Sequence, residues 1–377
     1  MQKRLPKFEP ARLTQARLAR KLSMAEVAER IGVTRQAVSA YESGENFPSP
    51  EVLRKLAAEL RAPEAFFTVA IMEPTGTVIN FRSLAASIKK SRDQARIYLE
   101  WLVSLSNFCM EFVELPPVRL PQFDIADFSR LQDVDLEKFA EETRRYFGLG
   151  DGPISDLTLL LENHGVLIGF VGLDPGIDGL SAWYGGRPVV LINDKAYYAR
   201  SRYDLAHELA HLILHRAVAW DDLENKDTLR LIEDQAQKFA SAFLMPERSF
   251  VPEVYGLDEV SLVELKKRWG VAMQAIVMRL HSVRMIGDEQ KMRLFKWFSY
   301  KGYRRKEPLD EETGPERPKL IKRVVELLHQ NGILFKEEFA VRSRLPAAYV
   351  RAVANLPEYS PVPRNVIEFA TLRPSGN

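Results

Sequence analysis

Two histidines with a glutamate between them are the most chemically suggestive residues in this sequence. His207-Glu208-Leu-Ala-His211 lies within an apolar run, Tyr203 to Leu214, that has the periodicity of a helix. Residues at i and i+4 project from one face, about 40° apart around the axis. Such a pair can hold one Zn²⁺ at ~2.0–2.1 Å and leave positions for a further ligand and a water; Mn²⁺ is an alternative occupant. Glu208 lies beside that face, where it can take a proton from a metal-bound water whose pKa the ion lowers towards ~7. Two histidines satisfied at a helix surface would show the same spacing, so a third donor must decide.

His215 continues the row, but at i+8 it lies about 12 Å along the axis from His207. It therefore supports the ligands or touches substrate, and Tyr203 is placed with it in that role. A better third donor comes from the helix expected over 228–244. There Leu229, Glu233, Ala236, Ala240 and Phe243 share one apolar stripe, whereas Asp234 falls among Arg230, Gln237, Lys238 and Ser241. A carboxylate on a buried face needs a partner, either a metal or an arginine such as Arg200 or Arg202. If Glu233 is not the third ligand, Asp221, Asp222 and Glu224 come next.

The composition sets the frame for these residues. The chain has 377 residues, 46% hydrophobic and 28% charged, with a formal net charge of +2, which suits a soluble protein of two or three domains. The single Cys109 excludes an internal disulfide and a cysteine-rich metal site, as expected in a reducing cytoplasm. No apolar run approaches the ~20 residues that cross a bilayer, and no secretion signal is evident. A cytoplasmic protein with no membrane association is expected. The first seventy residues are more basic, with twelve Lys/Arg against eight Glu and no Asp.

The expected organisation is mainly α with a small β-sheet (α+β). Residues 1–70 form a five-helix DNA-binding domain, 71–122 a long helix (81–113) and a Pro-rich linker, and 123–250 the metal domain. Residues 251–309 form a helical extension, and 310–377 a polar linker and helical tail. Ser23 with Glu26 forms a capping box, Gly32 ends that helix, Thr34 caps the next, and Ser49-Pro50 starts another. Short strands are expected at Val166–Val171, Leu180–Tyr184 and Arg187–Ile192. Further helices are expected over 135–147, 153–164, 199–216 and 261–300. The segment 266–276 echoes 28–38 at Arg, Gly, Val, Gln and Ala, a compact helix–Gly–helix turn rather than a second DNA reader. Met292, Phe295 and Phe298 mark Lys291 to Lys306 as an amphipathic helix with a solvated basic face.

Two resemblances follow from these motifs. Arg202-Tyr-Asp-Leu-Ala-His-Glu-Leu-Ala-His-Leu-Ile-Leu-His215, followed by Ile232-Glu-Asp-Gln-Ala-Gln-Lys-Phe-Ala-Ser-Ala-Phe-Leu-Met-Pro246, resembles the ImmA/IrrE metallopeptidases. The resemblance implies a minimal, gluzincin-like zincin fold, metal binding by His207, His211 and Glu233, and a catalytic Glu208. Members often carry Glu in place of Gln235 and Asn in place of Gln237. Zincins take peptide as an added antiparallel strand, and Arg187–Ile192 is the strand expected to receive it. Thr34-Arg-Gln-Ala-Val-Ser-Ala-Tyr-Glu-Ser-Gly44 resembles the recognition helix of XRE-family repressors. That implies Arg35, Gln36 and Ser39 at base edges, with Thr34 at the helix start, while Arg17, Arg20 and Lys21 meet phosphates.

The combination implies a homodimeric regulator on a double-stranded operator, carrying a zinc-dependent metalloendopeptidase. It is expected to cleave a repressor or partner protein in a stress, phage or toxin–antitoxin switch. The rival readings are a dedicated repressor-cleaving endopeptidase and an antitoxin-like repressor whose zincin fold only grips a partner.

Overall fold

The computed structural model describes residues 8–71, 86–216, 218 and 225–357. The alternative ligands Asp221, Asp222 and Glu224, the first residues of the expected helix 81–113 and the tail beyond 357 lie outside them.

The N-terminal block runs α1 (Pro10–Ala19), α2 (Met24–Ile31), α3 (Arg35–Ser43) and α4 (Pro50–Leu60). Its ends follow from its caps. Ser23 Oγ accepts from the Glu26 amide at 3.2 Å, and the Glu26 carboxylate accepts from the Ser23 amide at 2.7 Å. Gly32 takes φ 73°, which lets the chain turn sharply into Thr34, whose hydroxyl accepts from the Ala37 amide at 3.1 Å. The expected fifth helix is a 3₁₀ turn, Glu64–Thr68, that buries Phe66 and Phe67.

The long α5 (Ala86–Met110) is the spine onto which this block docks. Arg12 is fully buried and donates to Val69 O and Ala70 O, both at 2.9 Å, and to Ser104 Oγ at 3.2 Å. Burial lowers its guanidinium pKa to about 10, against the opposing pull of Glu100. Gln15 donates to Glu100 at 2.6 Å.

After α6 (Asp133–Tyr146) and α7 (Leu157–Asn163) come β1 (Leu167–Val171), β2 (Gly179–Tyr184) and β3 (Arg187–Asn193). β2 and β3 form a hairpin across Gly185-Gly186, both at positive φ, as a two-residue hairpin turn requires. β3 also pairs parallel with β1, giving the order β1-β3-β2. The expectation that Arg187–Ile192 receives an added strand is therefore wrong. That strand is β3, it is central, and both of its edges are already paired. β2 is the edge strand beside the site.

The sheet separates two cores. Val189 and Leu191 face α5, the N-terminal block and the C-terminal helices. Val190 and Ile192 face the helices of the metal domain. Those are chiefly α8 (Tyr198–Leu214) and α9 (Lys226–Leu244), followed by a short α10 (Glu247–Phe250).

The expected helix over 261–300 is three: α11 (Glu259–Trp269), α12 (Met273–Ser282) and α13 (Asp288–Lys301). Gly270, at φ 65°, makes the first break. The echo segment is a packed helix–Gly–helix turn. Glu307 caps the start of α12, accepting from the amides of Met273 at 2.8 Å and Gln274 at 3.2 Å, and is itself held by Lys266 at 2.9 Å. The tail folds into α14 (Leu320–Gln330), α15 (Lys336–Arg342) and α16 (Ala347–Val353). The polar stretch before it is no loose linker. Glu316 pairs with buried Arg202 and accepts from the first amide of α7 at 2.9 Å.

Candidate metal centre and DNA-reading helix

α8 and α9 pack lengthwise, and buried alanines at 206, 210, 236 and 240 let the two axes come close. The histidine face of α8 then meets the Glu233 face of α9. His207 Nε2 and His211 Nε2 lie 3.0 Å apart, and a carboxylate oxygen of Glu233 lies 3.4 Å from each. Neither arginine named as a rival partner reaches Glu233. Arg202 is engaged by Glu316, and Arg200 donates to Arg304 O at 2.9 Å. Asp234 points away and pairs with Lys238 at 2.6 Å.

These donors fit a small dication. Four ligands at ~2.0–2.1 Å in a tetrahedron stand about 3.3 Å from one another, close to the spacings found. Glu233 Oε1 is buried with no hydrogen-bond partner, an arrangement that otherwise costs free energy. Burial pushes the Glu233 carboxyl up, but the proximity of the His207 and His211 rings outweighs it and holds it well below the usual carboxylate range.

The rings are held from behind. Gln235 donates through Nε2 to Phe128 O at 2.7 Å, so its Oε1, 2.9 Å from His215 Nε2, needs a donor there. His215 Nδ1 in turn lies 3.0 Å from His211 Nδ1. His215 is 1% exposed and stands behind His211 as a support for that ring. Its burial, with His211 beside it, pushes its pKa down to about 3. Tyr203 donates its hydroxyl to Gln237 O at 3.0 Å, tying α8 to α9.

Glu208 is buried under β2. Gly179 makes room for it: a Cβ there would stand 3.0 Å from Glu208 Oε1 and 3.1 Å from Leu191 O. His207, Glu208 and Glu233, with Asp178, Gly179 and Asp204, line a recess of about 20 Å³, room for one water. Asp178 and Asp204 also line a much larger adjoining cleft of about 1450 Å³.

On α3, Thr34, Arg35, Gln36 and Ser39 are exposed on one side, while Val38 and Tyr41 are buried. Two of the expected phosphate contacts are corrected. Arg17 is buried in a two-pronged pair with Glu42, at 2.6 and 2.8 Å, and also donates to Leu22 O at 3.0 Å. Lys21 pairs with Asp174 of the β1–β2 loop, which Ser91 of α5 also engages. Both side chains hold the molecule together. Gln235, where family members often carry Glu, is the outer support of His215.

Residues 13–67 match the helix-turn-helix family profile and residues 161–281 that of the IrrE N-terminal-like domain. Among solved structures, a Mycobacterium tuberculosis transcriptional regulator is 21% identical, with 39% of this chain and 46% of that chain covered and a TM-score of 0.30. Bacillus thuringiensis PlcR, in complex with the peptide PapR7 and DNA, is 13% identical, with 91% and 93% covered and a TM-score of 0.15. The chain thus spans under half the length of the first of these. No match was found among the curated proteins.

Proposed function

We propose that this chain, which joins a helix-turn-helix DNA-binding domain to an IrrE N-terminal-like domain of a metallopeptidase family, is a DNA-bound regulator that cleaves a partner protein, most simply a repressor. The observation that carries this is the meeting of His207, His211 and Glu233 beside a one-water recess whose wall includes Glu208. The two histidines and Glu233 would hold Zn²⁺, which supplies a polarised water and a Lewis acid. Glu208, on the wall of the one-water recess, would accept a proton from a water held there and pass it to the leaving amine. β2, over Glu208, offers the edge on which an extended peptide is held. At the other end, Arg35, Gln36 and Ser39 read base edges of an operator in a dimer, because one short helix contacts too few bases for useful affinity.

The test is purification with metal analysis, followed by incubation with proteins encoded beside the chain's own gene. Glu208→Gln should retain the metal and lose cleavage by about 10²–10⁴-fold. Full cleavage by that variant would remove Glu208 from the chemistry, and a metal-free wild type would favour a domain that only grips its partner.

A further inference from the structure

The space on the two sides of the metal site differs in character. On the Gly179 side of β2 lies the 1450 Å³ cleft, whose lining includes Lys195, Arg200, Arg284, Arg304 and Arg305. None of these five forms an ion pair with a carboxylate among the described residues. The acids of the same wall have partners of their own: Asp133 and Asp234 share the single Lys238, at 2.8 and 2.6 Å, and Asp288 meets His281 and Lys291, at 3.0 and 3.1 Å. Asp178 and Asp204 sit at the metal end, where they also line the recess. The cations are placed rather than scattered. Arg304 lies over the Phe295 ring at 5.1 Å, and its carbonyl accepts from Arg200 at 2.9 Å. The basic segment singled out in the sequence thus forms one wall of this cleft.

On the Trp183 side of β2 lies a groove of about 580 Å³ lined by Leu120, Phe123, Ile125, Trp183, Leu212 and Ile213, among others. Trp183 and Leu212 also line a small recess whose wall includes His211 and His215, so the groove reaches the histidine face of α8. A chain passing the metal would therefore meet mainly apolar side chains on one side, with Arg216 stacked on Trp183 at 4.1 Å, and on the other a cleft whose lining holds seven Lys/Arg against five carboxylates.

We propose that the substrate is a peptide lying antiparallel to β2 at Gly179–Ala182, apolar before the scissile bond and acidic after it. This rests on the peptidase reading above. The polarity follows from the direction of β2, which runs from Gly179 beside Glu208 to Trp183 above Leu212. Antiparallel pairing is the more stable ladder per residue, and it sends the N-terminal half of the peptide into the groove and the C-terminal half into the cleft. Opposite charges within a few ångströms in a partly walled cleft attract more strongly than in open water, and salt weakens that attraction.

The test uses the zinc-loaded full chain and three labelled peptides: an apolar run followed by a glutamate run, the same peptide with glutamines, and the reversed order. Fluorescence anisotropy on Glu208→Gln reads binding, and cleavage by the wild type reads kcat/KM. The apolar–acidic peptide should bind about tenfold tighter than the other two, less so at high salt. The exposed double variant Arg304→Glu/Arg305→Glu should erase the preference. Such binding without wild-type cleavage supports the direction and polarity of docking but overturns the peptidase reading, leaving the peptide a bound ligand rather than a substrate. Cleavage of all three peptides at equal kcat/KM, with equal binding, overturns the proposal and leaves the peptidase. Preference for the reversed peptide, no peptide binding, or equal competition by an oligonucleotide also overturns it.

Discussion

Imidazoles bind a cation only through bare nitrogens, so the protons on His207 and His211 must lie elsewhere. For His211 the path can be followed outward. Gln235 offers Oε1 because its Nε2 donates to Phe128 O, so His215 must carry its proton on Nε2. Burial keeps His215 neutral, which leaves its Nδ1 bare and requires the proton of His211 on Nδ1, 3.0 Å away. His211 Nε2 then faces His207 and Glu233 with its lone pair exposed. Supports of this kind typically change metal affinity by about 10–100-fold. Gln235→Leu should therefore weaken zinc binding by that factor, measured by competition with a chelator. Glu233→Ala should remove the metal, and Asp234→Ala, exposed and paired with Lys238, should leave it in place. Unchanged affinity in Gln235→Leu would mean that the His215 relay does not orient the ligand.

At the scale of elements, the helix-turn-helix block divides its cations between two tasks. Arg17 bridges α1 to Glu42 of α3, and the side chains are only 11% and 5% exposed. Arg17→Ala would strand Glu42 in the interior, which costs about 3 kcal/mol for a pair this buried. Its melting temperature should fall while its salt-dependent affinity for random DNA stays constant. Arg35→Ala and Gln36→Ala should do the reverse, leaving melting unchanged and costing ~1–3 kcal/mol at the specific operator. Thermal melts beside gel shifts at one salt concentration separate the two; weakened random-DNA binding in folded Arg17→Ala would restore Arg17 as a phosphate contact. The caps of α2, α3 and α4 were legible because each is written within four residues of sequence. The convergence of the histidine pair with Glu233 was legible because helical periodicity alone puts Glu233 on a buried stripe and Asp234 off it. The fate of Arg17 and Lys21 was not, since their partners lie 25 and 153 residues away. The edge strand was misread although its signal was present. Val189-Val190-Leu191-Ile192 is apolar without alternation, the mark of a strand buried on both faces, whereas an edge strand beside a cleft must leave one side open. The breaks in 261–300 lay in Gly270 and Gly287, outweighed by the apolar periodicity around them.

At the scale of the molecule, the matched segment 161–281 shares its core with elements outside it. One face of its sheet is covered by α5, and the same core continues into the N-terminal block and the C-terminal helices through Phe66, Trp101, Phe339 and Tyr349. Trp101 lies 5.5 Å from Phe66 and 5.3 Å from Tyr349, ring centre to ring centre. Buried Arg12 and the Lys21–Asp174–Ser91 contact tie the DNA-binding block to α5 and the β1–β2 loop. The hydrogen bonds from Lys21 and Ser91 hold the Asp174 carboxyl below the usual carboxylate range. Its contribution to docking is therefore present above that range and is lost as acid protonates the group. A ligand that binds only the folded state stabilises the whole cooperative unit it belongs to, by about 2.7 kcal/mol at a hundredfold excess over Kd. If the shared core makes the described regions one unit, zinc bound between α8 and α9 stabilises the DNA-binding block as well. Calorimetry of the full chain at neutral pH should then show one main transition that rises as a whole with zinc. Arg12→Leu should lower that same transition, zinc-loaded or not, rather than split off an early one. Two separated transitions, with zinc moving only one of them, would mean that the DNA-binding block and the metal domain unfold independently. Operator occupancy and metal occupancy would then be uncoupled.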